Sequence, residues 1–207
     1  MKLLPKVLCI NIALIGIVAG MSASATLLTF DSLPTGALPA PGYGVIPNGY
    51  GGLNWNNFGV LNGSVMDPSY GYHTGMVSPN NVAFNLYGDP ASITTSRGLF
   101  NFNSAYLTLA LNLPTPLEIQ VQGYLGAALL YNQTYVVNSS GPTFVNFNYD
   151  GVNKVTFTSI PGQPFAMDNL GVTVPDASNT MVLLGLTAVG LAILERSCKK
   201  QHERAAV

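Results

Sequence analysis

Charged side chains are scarce in this chain of 207 residues, because only 8% of the residues are Asp, Glu, Lys or Arg while 48% are hydrophobic. An ordinary soluble domain carries about 25% charged residues. Between residues 26 and 173 there is one histidine, His73, one glutamate, Glu118, and two basic residues, Arg97 and Lys154. This composition argues against nucleic acid as a partner, since nucleic-acid binding needs a basic surface that displaces counterions.

Cysteine is nearly absent as well. The two cysteines, Cys9 and Cys198, lie close to the two ends of the chain. Residues 26–173 therefore cannot form an internal disulfide, although export would permit one. This stretch must be stabilised by its hydrophobic core or by a bound metal.

Catalytic motifs are missing too. The sequence has no G-x-S-x-G nucleophile elbow and no H-E-x-x-H metal motif. Asp67 and His73 are close in sequence, and a Ser-His-Asp arrangement stays open as an alternative. The sequence therefore predicts a protein that is not an enzyme.

The N-terminus has the pattern of an export signal. Met1–Lys6 contains two lysines, Val7–Met21 is almost entirely apolar, and Ala23-Ser24-Ala25 supplies small residues at a cleavage site. A positive segment, an apolar segment and an A-x-A site in this order are typical of a secretory signal peptide. We predict that residues 1–25 are this signal peptide; the alternative is an uncleaved N-terminal anchor.

A second apolar segment lies near the C-terminus. Thr180–Leu194 has no charged residue, and it is followed by a basic tail, residues 195–207, with Arg196, Lys199 and Lys200. As a helix the segment would span about 22 Å, which is short of the roughly 30 Å hydrocarbon core. The positive-inside rule keeps such a tail cytoplasmic while the body is exported. Although the segment is short, its lack of charge and the basic residues that follow it predict a transmembrane helix over residues 180–194.

The tripeptide Val174-Pro175-Asp176 precedes this helix and the basic residues. In this order, residues 174–207 resemble the PEP-CTERM class of C-terminal sorting signals, in the variant that begins Val-Pro-Asp. The chain departs from that variant at Ala177-Ser178, where Ser-Gly is usual, and in its longer tail. A retained tail anchor and a buried core helix are the alternatives.

This resemblance implies a processing route. In the class it resembles, a membrane-embedded exosortase cuts near the tripeptide, removes the helix and tail, and passes the protein to the cell surface. Such substrates belong to Gram-negative bacteria that make exopolysaccharide. The partners implied are an exosortase-type enzyme and, before processing, the inner membrane.

Strand patterns dominate the stretch between the two ends. Leucines occupy every second position over residues 107–113, and apolar and polar residues alternate over Leu117–Gln122. A period of two fits a β-strand and not a helix. Asp150-Gly151, between the segments Thr143–Tyr149 and Val152–Ser159, is a strong signal for a two-residue hairpin turn.

The remaining segments agree with an all-β fold. Residues 34–81 are rich in Gly, Pro, Asn and Tyr, which indicates long loops with short strands. The first and last strands are predicted over Thr26–Phe30 and Phe165–Val174. Because no amphipathic helix is available for crossovers, residues 26–173 are predicted to form a two-sheet antiparallel sandwich of the jelly-roll type.

Three segments of this body are also familiar. They are similar to segments of uncharacterised secreted proteins, many of which carry PEP-CTERM tails: Thr29-Phe30-Asp31, Ile46–Phe58 and Phe165–Leu170. The resemblance implies a jelly roll similar to carbohydrate-binding or galactose-binding-like modules.

An aromatic and amide-rich stretch is the candidate carbohydrate site. Tyr50 and Trp55 lie beside Asn54 and Asn56. Aromatic faces stack on sugar rings, and amide groups hydrogen-bond to hydroxyls. The alternative interpretation places Trp55 in the hydrophobic core and leaves Tyr50 as the more exposed ring.

Two carboxylates form a candidate calcium site. Asp31 follows the first predicted strand and Asp168 lies in the last, and the terminal strands of such a sandwich are expected to lie close together. Calcium binds six to eight oxygens and would relieve the repulsion between the two carboxylates. Hydrogen bonding of each carboxylate to a nearby turn is the alternative.

Together these patterns predict an exported, non-catalytic protein of the cell surface or extracellular matrix that binds carbohydrate such as exopolysaccharide. Two other functions stay open: a small secreted glycan-active enzyme and a purely structural surface protein.

Overall fold

Residues 23–36, 42–95 and 98–175 are described by the structure, a computed structural model of the chain. The predicted transmembrane helix, Asp176 and the basic tail lie outside these ranges, as does the predicted signal peptide up to residue 22. Among the described residues, no helix combines the length and the apolar character needed to cross a membrane.

Seven strands, numbered in chain order, form one antiparallel sheet: β1 (Ala23–Leu28), β2 (Tyr43–Val45), β4 (Phe58–Asn62), β5 (Asn81–Asn85), β7 (Phe100–Leu109), β10 (Thr143–Val152) and β12 (Phe165–Pro175). Six of them run in the order β10-β7-β12-β5-β4-β2, and β1 pairs with β12. We call this the seven-stranded sheet.

Five further strands form the second antiparallel sheet, the five-stranded sheet: β3 (Asn54–Asn56), β6 (Ala91–Thr94), β8 (Leu117–Leu125), β9 (Ala128–Val137) and β11 (Lys154–Thr158). Their order is β3-β6-β11-β8-β9. One α-helix, α1 (Gly71–Thr74), occurs within the described ranges. The prediction of a mostly β fold with two antiparallel sheets is confirmed.

The alternating pattern of β8 shows how the sequence selects a face. Leu117, Ile119 and Val121 are fully buried between the sheets, whereas Glu118 is exposed and Gln122 is half-buried on the outer face. Successive strand residues point to opposite faces, so the period of two sends every second residue to the core. The predicted strand is therefore confirmed, and it continues to Leu125.

The leucine pattern over residues 107–113 predicted a strand that is too long at its C-terminal end. β7 ends at Leu109, where Ala110 donates its amide hydrogen to the carbonyl of Pro164. Leu111 and Leu113 lie beyond the strand and pack against the core from a loop. Burial of leucine side chains therefore continues after strand pairing has stopped.

The predicted hairpin at Asp150-Gly151 is wrong. β10 continues through these two residues and pairs with β7, whereas β11 pairs with β6 and β8 in the other sheet. The register with β7 shifts between Tyr149 and Val152, and Gly151 has a φ of 66°. Such a glycine in the left-handed region is typical of a β-bulge. The bulge precedes Asn153, where the chain changes sheets.

The first and last strands are neighbours. β1 pairs antiparallel with β12, so that Ala23 lies opposite Pro175 and Leu28 lies opposite Leu170. β1 begins three residues before the predicted first strand, and the bond after Ala25 lies inside it. Val174 of the predicted sorting motif also belongs to this ladder.

Aromatic rings dominate the core between the sheets. Phe58 makes edge-to-face contacts with Trp55, Phe157 and Phe165, with ring centroids 5.3, 5.7 and 6.2 Å apart. Such pairs add about 0.5–1.5 kcal/mol beyond the burial of their apolar area. This core stabilises a body that has no cysteine.

A smaller apolar cluster covers part of the outer face of the seven-stranded sheet. Tyr72 of α1 packs edge-to-face on Phe84 of β5 at 5.4 Å, beside Leu61 and Val82. The outer face of the five-stranded sheet is different, because its side chains are mainly polar.

Candidate functional site

A groove of about 360 Å³ lies on the outer face of the five-stranded sheet. Nine residues from β3, β6, β8 and β11 and from the approach to β6 line it: Asn56, Pro90, Ala91, Ser92, Gln122, Tyr124, Lys154, Thr156 and Thr158. The strand neighbours of its polar residues, such as Trp55 and Val155, point to the core. Core packing therefore fixes the backbone that carries the groove.

One row of polar side chains crosses four strands of this groove. Asn56 lies opposite Ser92, Ser92 opposite Thr156, and Thr156 opposite Gln122. Residues directly opposite in an antiparallel ladder have Cβ atoms about 4.5–5.5 Å apart. We call these four residues the amide–hydroxyl row. Each of them can both donate and accept hydrogen bonds without carrying charge.

An aromatic ring and a cation lie beside the row. Tyr124 is half-buried, and its hydroxyl donates a hydrogen bond of 2.9 Å to Oε1 of Gln122. Lys154 lies opposite Tyr124 in the ladder, with its Nζ 5.9 Å from the ring centroid. The ring is thereby held at one end by the row and approached by an ammonium group at its face.

The chemistry of the groove fits a neutral, hydroxylated ligand. Amides and hydroxyls match sugar hydroxyl groups, and the ring of Tyr124 offers an apolar surface. None of the nine lining residues is a carboxylate, whereas glycoside hydrolysis generally uses a pair of carboxylates. The lining therefore offers hydrogen-bonding and stacking groups to a ligand.

Trp55, a predicted carbohydrate-binding residue, lies in the core. Its side chain is 6% exposed, and its ring packs edge-to-face on Phe30 at 5.7 Å. Its indole Nε1 donates to the carbonyl of Tyr50 at 3.0 Å, and its amide donates to Oδ1 of Asn48 at 2.8 Å. The alternative interpretation, a core tryptophan, describes this position.

The other predicted carbohydrate-binding residues differ in position. Tyr50 is half-buried, and its hydroxyl accepts a hydrogen bond of 3.0 Å from the amide of Phe30. Burial raises the pKa of Tyr50. Asn54 and Asn56 lie on the outer face of β3, and of these two Asn56 lines the groove.

Asp168 and Asp31 both bind the segment 77–81 through hydrogen bonds. Oδ2 of the fully buried Asp168 accepts from the amides of Val77 and Ser78 at 2.7 and 2.8 Å. Its Oδ1 accepts from the Ser78 hydroxyl at 3.0 Å and from the amide of Asn169 at 2.7 Å. The exposed Asp31 accepts from the amide of Asn81 at 3.0 Å.

These contacts favour the hydrogen-bonding alternative over the calcium site. A carboxylate offers about four lone-pair positions, and at Asp168 four donors occupy them. Burial raises the pKa of Asp168, and the hydrogen bonds from Ser78, Val77 and Asn169 oppose that shift. In the described part of the chain, no three His, Cys, Asp or Glu side chains gather closely enough to hold a metal ion.

Asp67 and His73 have separate partners. Oδ1 of Asp67 accepts from the amide and the hydroxyl of Ser69, which lowers the pKa of Asp67. Nδ1 of His73 lies 3.1 Å from the carbonyl of Gly63. Ser69 therefore donates to the acid, and the geometry is that of a turn.

Sequence reasoning missed most of the groove. It found Asn56 and the polar face of β8, but it assigned no role to Ser92, Thr156 or Tyr124. Polar residues at alternate positions of β6, β8 and β11 were the available signal. That signal shows which face of each strand is polar, and only the pairing order brings the faces together.

No family model matches the chain, and no curated protein matches it. Several solved structures do match the chain. The complex of TmCBM61 with β-1,4-galactotriose matches with a TM-score of 0.34 and 7% identity, over 63% of this chain and 95% of that one. A family 16 carbohydrate-binding module, module 2, matches with a TM-score of 0.29 and 12% sequence identity, over 47% of this chain and 79% of that one.

A third match is to the CBM22-1 and GH10 modules of Clostridium thermocellum xylanase 10B with xylohexaose. Its TM-score is 0.27 and its identity 11%, over 76% of this chain and 25% of that one. These structural neighbours include carbohydrate-binding modules.

Proposed function

We propose that this protein is an exported, non-catalytic protein that binds carbohydrate in the groove of the five-stranded sheet. The amide–hydroxyl row beside the ring of Tyr124 carries the proposal. A sugar presents hydroxyl groups around its edge and C–H groups on its face. The row provides hydrogen-bond partners for the edge, and the ring provides a stacking surface for the face.

The charge of the domain supports a neutral polymer as ligand. Residues 26–173 contain five aspartates and one glutamate against Arg97 and Lys154, so the net charge is about −4. Such a domain repels polyanions over the roughly 8 Å that salt leaves unscreened. A neutral exopolysaccharide meets no such barrier, and a single ammonium group, that of Lys154, can donate to its hydroxyls.

Groove variants test this function. Gln122→Ala and Tyr124→Ala, each made in the full-length protein, are expected to weaken glycan binding by about 1–3 kcal/mol, or roughly 5- to 150-fold. Each change removes one hydrogen-bonding or stacking contact. A glycan array identifies the ligand, and calorimetric titration with the best-bound oligosaccharide measures the loss.

Thr134→Ala is the matched control, because Thr134 is an exposed residue of β9 on the same face, outside the groove. It should bind as the wild type does. Failure of the wild type to retain any glycan would contradict the proposed function. Undiminished binding by both groove variants would show that the glycan binds outside the groove. Turnover of a bound glycan would favour the glycan-active enzyme instead.

Export and surface delivery complete the proposal. The signal peptide pattern at residues 1–25 and the tripeptide Val174-Pro175-Asp176, followed by an apolar segment and basic residues, support secretion and removal of both ends. The exosortase-type enzyme acts on the precursor in the inner membrane. The mature protein then reaches the surface or the matrix of a Gram-negative cell.

The mature ends are a separate prediction. Expressed in a host with an exosortase, the surface form should lack Met1–Ala25 and the residues that follow Asp176. Mass spectrometry of surface protein measures both ends, and a strain without the exosortase is the control. Recovery of peptides from Leu183–Leu194 in surface protein would contradict processing and would show that the C-terminal segment is retained as a tail anchor.

A further inference from the structure

A strained turn holds one tyrosine in solvent. Tyr87 has a φ of 59° and a ψ of 8°, in the left-handed region, and its side chain is 72% exposed. The next residue, Gly88, has a φ of 73°, and the amide of Asp89 donates to the carbonyl of Leu86. This is the geometry of a type I′ turn, whose central positions are dominated by Gly, Asn and Asp.

The surrounding structure forces this conformation. Nδ2 of Asn57 lies 3.1–3.3 Å from the carbonyl oxygens of Leu86, Asp89 and Pro90. Nδ2 of the fully buried Asn85 also donates to the carbonyl of Asp89, at 2.9 Å. The turn is thus held by side-chain amides from two directions.

Gly88 shows how closely the turn is packed. A Cβ atom at this position would lie 2.4 Å from the amide nitrogen of Gln163 and 2.6 Å from the carbonyl carbon of Gly162. A side chain at position 88 would clash with this backbone, so the turn requires glycine there. Together with the hydrogen bonds from Asn57 and Asn85, this packing holds Tyr87 at its positive φ, at a cost that asparagine would largely avoid.

A second tyrosine positions the ring of Tyr87. The hydroxyls of Tyr43 and Tyr87 lie 3.0 Å apart, and this hydrogen bond raises the pKa of Tyr43. Tyr43, on β2, is 43% exposed and packs edge-to-face on Phe84 at 5.8 Å. Both rings are therefore fixed while remaining accessible. We call Tyr43 and Tyr87 the tyrosine pair.

We propose that the tyrosine pair is a second carbohydrate-binding site, which stacks on a sugar ring of the same polysaccharide that fills the groove. The inference rests on the proposed function for its ligand class. Backbone strain that is held in place around an exposed side chain points to a use for that side chain. Tyrosine suits a sugar because its ring stacks on C–H groups while its hydroxyl bonds to sugar hydroxyls.

The chemistry of the pair favours a sugar over a charged or fully apolar partner. Both side chains are neutral, and the one Lys or Arg within the described ranges, Lys154, lies in the groove. One hydroxyl donates to the other, so the second O–H would be left unpaired against a dry apolar surface, which costs free energy. Against a sugar both hydroxyls keep hydrogen-bonding partners.

Substitution of Tyr87 by asparagine separates strain from binding. In the full-length protein, Tyr87→Asn should raise the melting temperature by about 2–4 °C, since it relieves the strain at a left-handed position. It should also weaken binding to the long polysaccharide about tenfold, because the stacking surface is lost. Tyr43→Ala should weaken binding to a similar extent.

Tyr87→Phe keeps the ring and the strain but loses the hydroxyl that bonds to Tyr43, so it should not gain the melting temperature of Tyr87→Asn, and its affinity should fall between those of the wild type and Tyr87→Asn. Thr134→Ala, outside both the groove and the tyrosine pair, is the control that should melt and bind as the wild type does. Affinity electrophoresis in gels containing galactan, glucan, xylan or mannan measures binding, and thermal unfolding measures stability.

The same gels distinguish the two proposals. Normal retardation of Tyr87→Asn alongside weakened retardation of Gln122→Ala would overturn the tyrosine site and leave the groove intact. Weakened retardation of both variants supports both sites. Absence of retardation of the wild type in all four gels would overturn the proposed function, and this inference with it.

Discussion

Asp168→Ala is expected to lower the free energy of unfolding by about 3–5 kcal/mol, although Asp168 contacts no groove residue. The change removes an acceptor that serves four donors, and it leaves the amides of Val77 and Ser78 without the partner seen in the structure. Each buried donor that loses its partner costs about 1–3 kcal/mol. Urea unfolding of the full-length protein measures the difference.

Two further variants serve as comparisons for Asp168→Ala. Asp168→Asn keeps the shape and one oxygen, so it should fall between the wild type and the alanine variant. Asp89→Ala removes an exposed carboxylate and should change stability by no more than about 0.5 kcal/mol. A loss below about 1 kcal/mol for Asp168→Ala would contradict the buried network. If calcium were the staple instead, excess chelator would lower the melting temperature of the wild type.

Trp55→Ala is expected to cost about 3–5 kcal/mol of stability while leaving glycan binding intact at temperatures where the variant stays folded. The side chain fills the space between Phe30 and Phe58, with ring centroids 5.7 and 5.3 Å away. Its removal leaves a cavity that these rings can close only in part. Thermal unfolding and calorimetric titration on the same sample separate stability from affinity.

The adjacent residue is the matched control. Asn56 follows Trp55 on β3 but points to the opposite face, where it lines the groove. Asn56→Ala should weaken binding by about 1–2 kcal/mol, because one hydrogen-bonding group is lost, and should melt nearly normally. Loss of affinity in folded Trp55→Ala, together with normal affinity in Asn56→Ala, would show that the glycan binds at Trp55 and not in the groove.

The local patterns were sufficient for the strands but not for their partners. Glu118, Gln120 and Gln122 alternate with core residues, and that alternation alone identifies β8 and its polar face. The row that crosses the groove depends on Asn56 meeting Ser92 and on Thr156 meeting Gln122. Such pairing is decided by the packing of the whole sandwich, so it cannot be read from any one segment.

Asp150-Gly151 shows how a strong local signal can be overridden. The dipeptide does adopt a left-handed conformation at Gly151, as a hairpin turn would require. Tertiary pairing uses that conformation for a bulge, and the strand continues to Val152 beside β7. The local preference was correctly inferred, and its structural use was set by the neighbouring strand.

Asp168 illustrates a different difficulty. The sequence analysis offered this carboxylate, with Asp31, as a candidate calcium ligand, and the structure shows that its partners lie about ninety residues earlier, at Val77 and Ser78. A loop that supplies amide donors has no sequence signature of its own, because every residue except proline carries an amide hydrogen. The choice between calcium and hydrogen bonds therefore needed the fold.

The pairing of β1 with β12 has a mechanical consequence. Because Thr26, the first residue of the proposed surface form, lies opposite Val172, a force that pulls these two residues apart acts at one end of the remaining ladder and across its hydrogen bonds. The three residue pairs from Thr26 to Leu28 would then open one after another instead of resisting together in shear. A protein pulled by one of these ends and by its bound polysaccharide would not load this ladder in that way.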